Sequence, residues 1–342
     1  MIKNETFKES QALSQKGLLV LRGVADDGLA KVVIQSDGGI KLIMSGGCDL
    51  MPHLQKMGWA LKTVLLGPTQ GEASYQISVP TVMLNEIADA DTHRVALTAA
   101  VNFCRNFPSI YCINNPQQVL ANTRDAVYKT LKDIDGLVLP KTIRHTITSP
   151  NQLARIMAAE FEGPVIVRPC GSHQGRLTRL ISDVAKLEPL NALPLDGREY
   201  YLTAFHDYIS PDRCYRKYRF IVIDGEVFLG HLLFSRNWMV HEELLQQTPA
   251  NESLLAEKHR ATLEFETSLK PLIAARCKKA SDSLGLDAFA IDAALLNSGE
   301  LLIFEANANQ QLLGAVDGAN ELTVNKALAL RINHLLKASI NK

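Results

Sequence analysis

Phe289-Ala-Ile-Asp292-Ala-Ala-Leu-Leu-Asn-Ser-Gly-Glu-Leu-Leu-Ile-Phe-Glu305-Ala-Asn307 is the stretch that decides how this chain folds. Two apolar runs, Phe289 to Leu296 and Leu301 to Ala306, flank Asn297-Ser298-Gly299-Glu300, a composition that favours a hairpin turn. A turn centred between Ser298 and Gly299 predicts Asp292 directly opposite Glu305 and Asn307 opposite Ala290, with all the polar groups on one face. A three-residue turn would shift that register. Leu301 and Ile303 are expected on the acid-bearing face, which argues against free solvation of the acids. Like charges directly opposite on a sheet repel. A divalent cation would resolve the conflict, and hard oxygen ligands suit Mg²⁺. The plain alternative is a solvated hairpin whose acids are incidental.

The chain has 342 residues, enough for two or three domains, and balances 36 Lys and Arg against 36 Asp and Glu. That balance gives no electrostatic case for nucleic acid or an anionic membrane as partner. No apolar run approaches the roughly 18 residues of a membrane span. The first residues, Met1-Ile-Lys-Asn-Glu-Thr-Phe-Lys8, lack the hydrophobic region of a secretion signal. Cysteines 48, 104, 112, 170, 214 and 277 are scattered without a Cys-x-x-Cys pair, so neither a disulfide framework nor a zinc site is expected. The expected location is the cytoplasm.

From residue 17 to about 113, short strand-like runs alternate with helix-like pieces, including strands at Gly17–Leu21, Lys31–Ile34, Ile40–Met44 and Trp59–Leu66 and a helix over Asp91–Phe103. An α/β domain over 1–113 is expected. Asn115-Pro116 should open one helix running through Thr123-Arg124-Asp125 to Leu131, followed by a strand at Lys141–Arg144 and a helix at Pro150–Glu160. Beyond Tyr200 come strands at Tyr200–Asp207, Tyr218–Ile223 and Glu226–Phe234, one long helix over Asn251–Leu284, the acid hairpin and a closing helix over Leu322–Ala338. Antiparallel strands beside helices predict α+β lobes over 114–199 and 200–342, packed on the α/β domain.

Pro164-Val-Ile-Val-Arg168 leads into Pro-Cys-Gly171-Ser172-His173-Gln174-Gly175-Arg176 and a return strand, Leu177 to Ile181. Such a glycine-bearing loop can fold backbone N–H groups around phosphate oxygens, and Arg168 can grip phosphate in a fork. No Gly-Lys-Ser/Thr follows, so it is not a Walker loop, and no G-x-G-x-x-G occurs. His173 reads equally as a surface-loop histidine. Tyr200-Tyr-Leu-Thr-Ala-Phe205-His206-Asp207-Tyr208 could wall an adenine ring or be a core strand.

The order of these pieces resembles the ATP-grasp superfamily of carboxylate–amine ligases, which includes glutathione synthetase and the enzyme that adds glutamates to a ribosomal protein. The order is a Thr-Arg-Asp helix, a strand ending in Arg with a Gly-rich loop, a hinge strand, an Arg-rich strand, then Asp…Glu-x-Asn. The resemblance spans roughly Asn114 to the C-terminus and implies an ATP-grasp fold behind an N-terminal α/β pre-grasp domain. It implies that Asp292, Glu305 and Asn307 hold two Mg²⁺ ions, with Mn²⁺ as a substitute. Nucleotide contacts would come from Arg124, Arg168 (where most relatives carry Lys), Gly171, Ser172, His173, Gly175 and the hinge at Phe205. Arg219 would face the acyl phosphate, and Arg236 and Asn237 the acceptor carboxylate.

What the family implies is ATP-dependent joining of an amino acid or peptide carboxylate to an amine through an acyl phosphate, releasing ADP and phosphate. No general base is evident; His173 and His241 are the candidates. Two other functions fit the same fold: a catalytically silent ATP-binding regulator or scaffold, and a kinase. A homodimer is expected by analogy alone.

Overall fold

A computed structural model describes residues 17–34, 36, 38–43, 45–48, 50, 54, 57–68, 79–173, 175–183, 192–240, 252–308, 312 and 321–342. The first part of the chain contributes β1 (Gly17–Gly23), β2 (Lys31–Ile34), β3 (Ile40–Ile43), β4 (Ala60–Leu66), β5 (Val82–Asn85), α1 (Arg94–Cys104) and β6 (Cys112–Ile113). Four of these strands form a parallel sheet in the order β4-β1-β5-β6. Its central strand is apolar on both faces, as a doubly covered parallel strand must be. Leu19 and Leu21 pack with Ala96, Leu97 and Ala100 of α1, while Leu18 and Val20 pack on the other face with Trp59. β2 and β3 pair separately as an antiparallel ribbon.

The expected single helix after Asn115 is two. α2 (Pro116–Ala121) is capped by the Asn115 side chain, which accepts from Gln117 N at 2.9 Å, and α3 (Arg124–Leu131) starts afresh after a break. Asn122 makes the break: its Nδ2 donates to the carbonyls of Gln118 and Leu284, at 2.9 and 2.8 Å. Arg124 therefore sits in a first helical turn rather than mid-helix.

β7 (Leu137–Val138), β8 (Thr142–Thr146), α4 (Pro150–Glu160), β9 (Val165–Pro169), β10 (Arg179–Ile181) and β11 (Glu199–Ala204) follow. The last three join β8 in an antiparallel sheet, β10-β9-β11-β8, around a core of its own that includes Leu153, Met157, Val167 and Tyr200. β12 (Tyr215–Ile223), β13 (Glu226–Ser235), β14 (Ala288–Leu295) and β15 (Leu301–Asn307) make a second sheet, β13-β12-β14-β15, to which β7 adds in parallel. The helices here are α5 (Glu252–Leu263), α6 (Lys270–Leu284) and α7 (Glu321–Ser339).

The long helix expected over Asn251–Leu284 is interrupted by a π-helical turn, Phe265–Leu269, between α5 and α6. Pro271 in the first turn of α6 has no N–H to give back to the preceding turn, so an unbroken α-ladder cannot pass it. No described helix is long and apolar enough to cross a membrane. All six cysteines are free thiols.

Candidate functional site

The acid hairpin reaches the expected pairing by an unexpected route. Leu296 N donates to Glu300 O at 2.9 Å and Gly299 N to Leu296 O at 2.8 Å, so the turn holds three residues, Asn297 to Gly299. Gly299 adopts φ 82°, the left-handed position such a turn requires. This register pairs Leu295 with Leu301 and Ala293 with Ile303, and carried further would set Asp292 against Phe304. A β-bulge between Asp292 and Ala293 takes up Phe304 as an extra residue, and Asp292 then faces Glu305 and Ala290 faces Asn307. The same bulge corrects the expected facing of Leu301 and Ile303. Both lie in the core with Ile291 and Ala293, on the side away from the acids.

The acids do not confront each other unneutralised, as the sequence suggested. Asp292 is buried, and Arg219, its partner across β12 and β14, grips it with Nε at 2.8 Å from Oδ1 and Nη2 at 3.1 Å from Oδ2. Lys217, two residues along the same face of β12, adds Nζ at 3.0 Å from Oδ2. Burial alone would raise the Asp292 pKa, but Lys217 and Arg219 outweigh it and hold the carboxyl far below the ordinary carboxylate range. Glu305 is ion-paired with Arg124 from the first turn of α3. Burial pushes its pKa up, and Arg124 and Arg168 pull it further down. Arg168 donates to the carbonyl of Ser172. Desolvation and the neighbouring Arg124 charge bring its pKa down to about 10.

Two polar atoms at this place have no partner among the described residues. Asn307 donates Nδ2 to Glu305 Oε1 at 2.5 Å, yet its Oδ1 is buried without a donor; Arg168 Nε is buried without an acceptor. An open amide oxygen beside two carboxylates fits a hard divalent cation. An under-bonded arginine fits an anion. Four cationic side chains (Arg124, Arg168, Lys217, Arg219) stand around two carboxylates, so the formal excess of charge is positive. Such a centre is ready for a polyanion that brings its own cations.

Arg124, Arg168, Lys217, Asp292, Glu305 and Asn307 form the polar end of a cavity of about 190 Å³ whose other walls include Ile166, Phe205, Tyr208, Trp238, Leu302 and Phe304. The Phe205 and Trp238 rings meet edge to face, centroids 5.8 Å apart. The Phe205 N–H donates to Pro164 O at 2.8 Å, and the residue lines the cavity. A smaller cavity of about 30 Å³ touches the other side of Arg124, Glu305 and Asn307 and is bounded by Asp89, Asp91, Gly171 and His173.

The glycine loop between β9 and β10 is clasped by the loop that follows β5. His173 Nε2 lies 2.8 Å from Asp89 Oδ2. Burial raises the Asp89 pKa, but hydrogen bonds from His173 and Thr92 overcome this and keep it strongly depressed. Gly171 sits at φ +70° with Thr92 against it: a Cβ there would lie 2.5 Å from Thr92 Cγ2. Asp91 accepts from Tyr201 Oη at 2.8 Å and Arg144 Nη1 at 3.0 Å. Ser172 turns its hydroxyl back to Pro169 O, at 2.8 Å. Gly175 adopts φ 69° and lines the main cavity.

The structure thus brings together Arg124, Arg168, Gly175, Phe205, Arg219, Asp292, Glu305 and Asn307, with Gly171, Ser172 and His173 around the smaller cavity. It does not bring in Arg236 and Asn237. Both are exposed past the end of β13, and the Asn237 carboxamide accepts from Met239 N at 3.1 Å. His241 lies outside the described residues. Sequence reading missed Lys217, Asp89, Asp91, Arg144 and Tyr201. Alternation along Tyr215-Arg-Lys-Tyr-Arg already set Lys217 on the Arg219 face, whereas nothing local marked the two aspartates.

No protein-family model matches this chain, and no curated protein matches it. Solved structures do. The VanG D-Ala:D-Ser ligase of Enterococcus faecalis superposes with a TM-score of 0.54 at 11% identity, over 95% of this chain and 100% of that one. The D-alanyl-alanine synthetase A of Vibrio cholerae does so with a TM-score of 0.53 at 9% identity, over 97% and 100%. The ATP-grasp ligase PsnB, in complex with the precursor peptide PsnA2 and AMPPNP, gives a TM-score of 0.50 at 16% identity, over 95% and 99%. At these identities the likeness is one of fold, and the fold is ATP-grasp.

Proposed function

We propose that this protein joins a carboxylate to an amine at the expense of ATP, passing through an acyl phosphate and releasing ADP and phosphate. The observation that carries this reading is the cavity end, where Asp292, Glu305 and the open Oδ1 of Asn307 converge among Arg124, Arg168 and Lys217. The adenine would lie between the Phe205, Tyr208 and Trp238 walls, with the phosphates toward the arginines. Asp292, Glu305 and Asn307 would hold Mg²⁺, which supplies neutralisation of phosphate charge. The division into 1–113, 114–199 and 200–342 belongs to the same proposal, as does a cytoplasmic location.

In the reaction, a substrate carboxylate oxygen attacks the γ-phosphorus as the bond to the β-phosphate oxygen breaks. An amine then attacks the acyl carbon, and phosphate leaves. Arg124 and Arg168 align the phosphates; transfer of this kind depends on alignment and charge more than on a covalent helper. Arg219, locked to Asp292 by two bonds, serves by fixing that carboxylate. The Gly171 to Gly175 loop, held down by Asp89, shields the acyl phosphate from water. A peptide beside AMPPNP in the PsnB structure supports testing peptides as well as small acids.

The test is chromatography of the nucleotide products while acids, peptides and amines are screened with MgATP. ADP and phosphate, formed only when a carboxylate and an amine are both present, are expected. AMP and pyrophosphate would reject the acyl-phosphate route. ADP formed with an alcohol and no carboxylate would favour a kinase.

A further inference from the structure

Lys217 and Arg219 hold Asp292 in different ways. Arg219 lies directly across the sheet and uses two nitrogens in a fork. Lys217 lines the main cavity and makes a single bond, at 3.0 Å, from the end of a four-carbon stem. Oδ2 of Asp292 receives both Lys217 Nζ and Arg219 Nη2, the latter at 3.1 Å, so its two lone pairs are taken. Oδ1 receives Arg219 Nε. Oδ1 keeps one lone pair, but a metal ion bound through Oδ2, the oxygen that meets the cavity-lining ammonium, must displace a donor, and the singly bonded ammonium costs least to move.

We propose that the Lys217 ammonium holds the place of a divalent cation on Asp292 in the free protein and gives it up when metal and polyphosphate enter together. The inference rests on the nucleotide reading of the cavity. Once released, Lys217 is a nearly buried cation without its carboxylate, an unfavourable state unless an anion takes over. Phosphate oxygens beside Arg124 and Arg168 supply that anion. Metal alone would have to expel Lys217 with nothing to receive it. Polyphosphate alone would find Lys217 still tied to Asp292. Each ligand thus removes the cost the other meets, which is a coupling free energy between two sites. Lys217 is a positioning residue here: it acts on the metal through Asp292. The open Oδ1 of Asn307, on the facing strand, marks where the displacing cation would complete its ligands.

The experiment is calorimetric titration of the full chain with Mn²⁺, with and without a non-hydrolysable ATP analogue. In the wild type the analogue should tighten Mn²⁺ binding by about tenfold or more, within the ordinary range of coupling. Lys217→Met should bind Mn²⁺ alone about tenfold more tightly than the wild type, with the coupling reduced toward one. Lys217→Arg, which brings a second fork to Asp292, should bind Mn²⁺ alone more weakly. Lys217→Gln keeps a donor without the charge; it should fall between wild type and Lys217→Met and replaces the latter if that variant does not fold. Lys217→Met binding the analogue with Mn²⁺ affinity and coupling unchanged overturns this inference and leaves the nucleotide site standing. Wild-type protein that binds no analogue overturns both.

Discussion

At the scale of single residues, charge compensation governs what substitutions do. A pair of facing acids suggests that Asp292→Asn should relieve repulsion, but Lys217 and Arg219 already neutralise Asp292. Its loss leaves the nearly buried Lys217 ammonium without its carboxylate, and such breaks typically cost about 3–5 kcal/mol. A urea titration should show that loss, and an unchanged midpoint would mean that the ammonium finds water instead. Arg168 predicts the reverse. Its Nε is unbonded and Arg124 repels it, so Arg168→Ala should leave the ligand-free melting temperature unchanged or slightly higher. Nucleotide affinity should fall by roughly 1.5–3 kcal/mol, the worth of a charged hydrogen bond, with Arg168→Lys between the two. Unfolding of Arg168→Ala with normal nucleotide binding after refolding would make the residue structural. Asp89 and Asp292 set the acid limb of stability. Both keep pKa values below the unfolded 3.8, so the unfolded chain binds more protons through that window. Their stabilisation is full above the unfolded value and is lost as pH falls through the folded ones. Asp89→Asn should flatten the acid limb between about pH 4 and pH 2, and a limb as steep as the wild type would show that His173 contributes little.

At the scale of elements, the hairpin shows what alternation can and cannot tell. Composition located β14 and β15, and the pairing of Asp292 with Glu305 came from assuming a regular ladder. The actual ladder contains a three-residue turn and a bulge whose shifts cancel at Asp292; sequence alone showed neither, because a bulge needs only one extra residue. The sites assembled from distant pieces were less legible still. Asp89 takes its role only where the β5 loop meets the β9–β10 hairpin, and Asp91 only where that loop meets β8 and β11, all of them more than fifty residues later. That meeting can be probed through Gly171, which combines φ +70° with a methyl of Thr92 where its Cβ would go. Gly171→Ala should destabilise the protein by about 1–3 kcal/mol and weaken nucleotide binding. Thr92→Ser removes that methyl while keeping the hydroxyl bonded to Asp89 at 2.7 Å. The double variant should recover the clash part of the loss and not the backbone strain. Strict additivity of the two single effects would place the Gly171 cost in the backbone alone.

At the scale of the whole molecule, the three larger cores among the described residues divide the work unequally. Two of them lie on opposite faces of β12 and β14 and also take in β1 and β5, so the first parallel sheet and the second antiparallel sheet share buried side chains. Trp59 strengthens that union by donating Nε1 to Asn333 of α7 at 3.0 Å. The third core, under β8 to β11 and α4, stands by itself. Polar groups tie its sheet to the parallel one: Asp91 with Arg144 and Tyr201, and Asp89 with His173. A sheet with a separate core and a polar clasp should open before the rest of the molecule. Asp91→Ala removes the acceptor shared by Arg144 and Tyr201, leaving Arg144 its bonds to Glu199 at 2.8 and 2.5 Å. Amide exchange in β9 and β11 should then rise well above wild type, while β1 and β14 keep their protection. A non-hydrolysable ATP analogue should restore protection to β9, because Arg168 on that strand would be held from the other side by phosphate. If exchange rises equally in all sheets, the molecule opens as one unit and the clasp is not its weak joint. If β9 stays exposed with analogue bound, Arg168 does not hold the phosphates, and the nucleotide reading of the cavity loses its main cation.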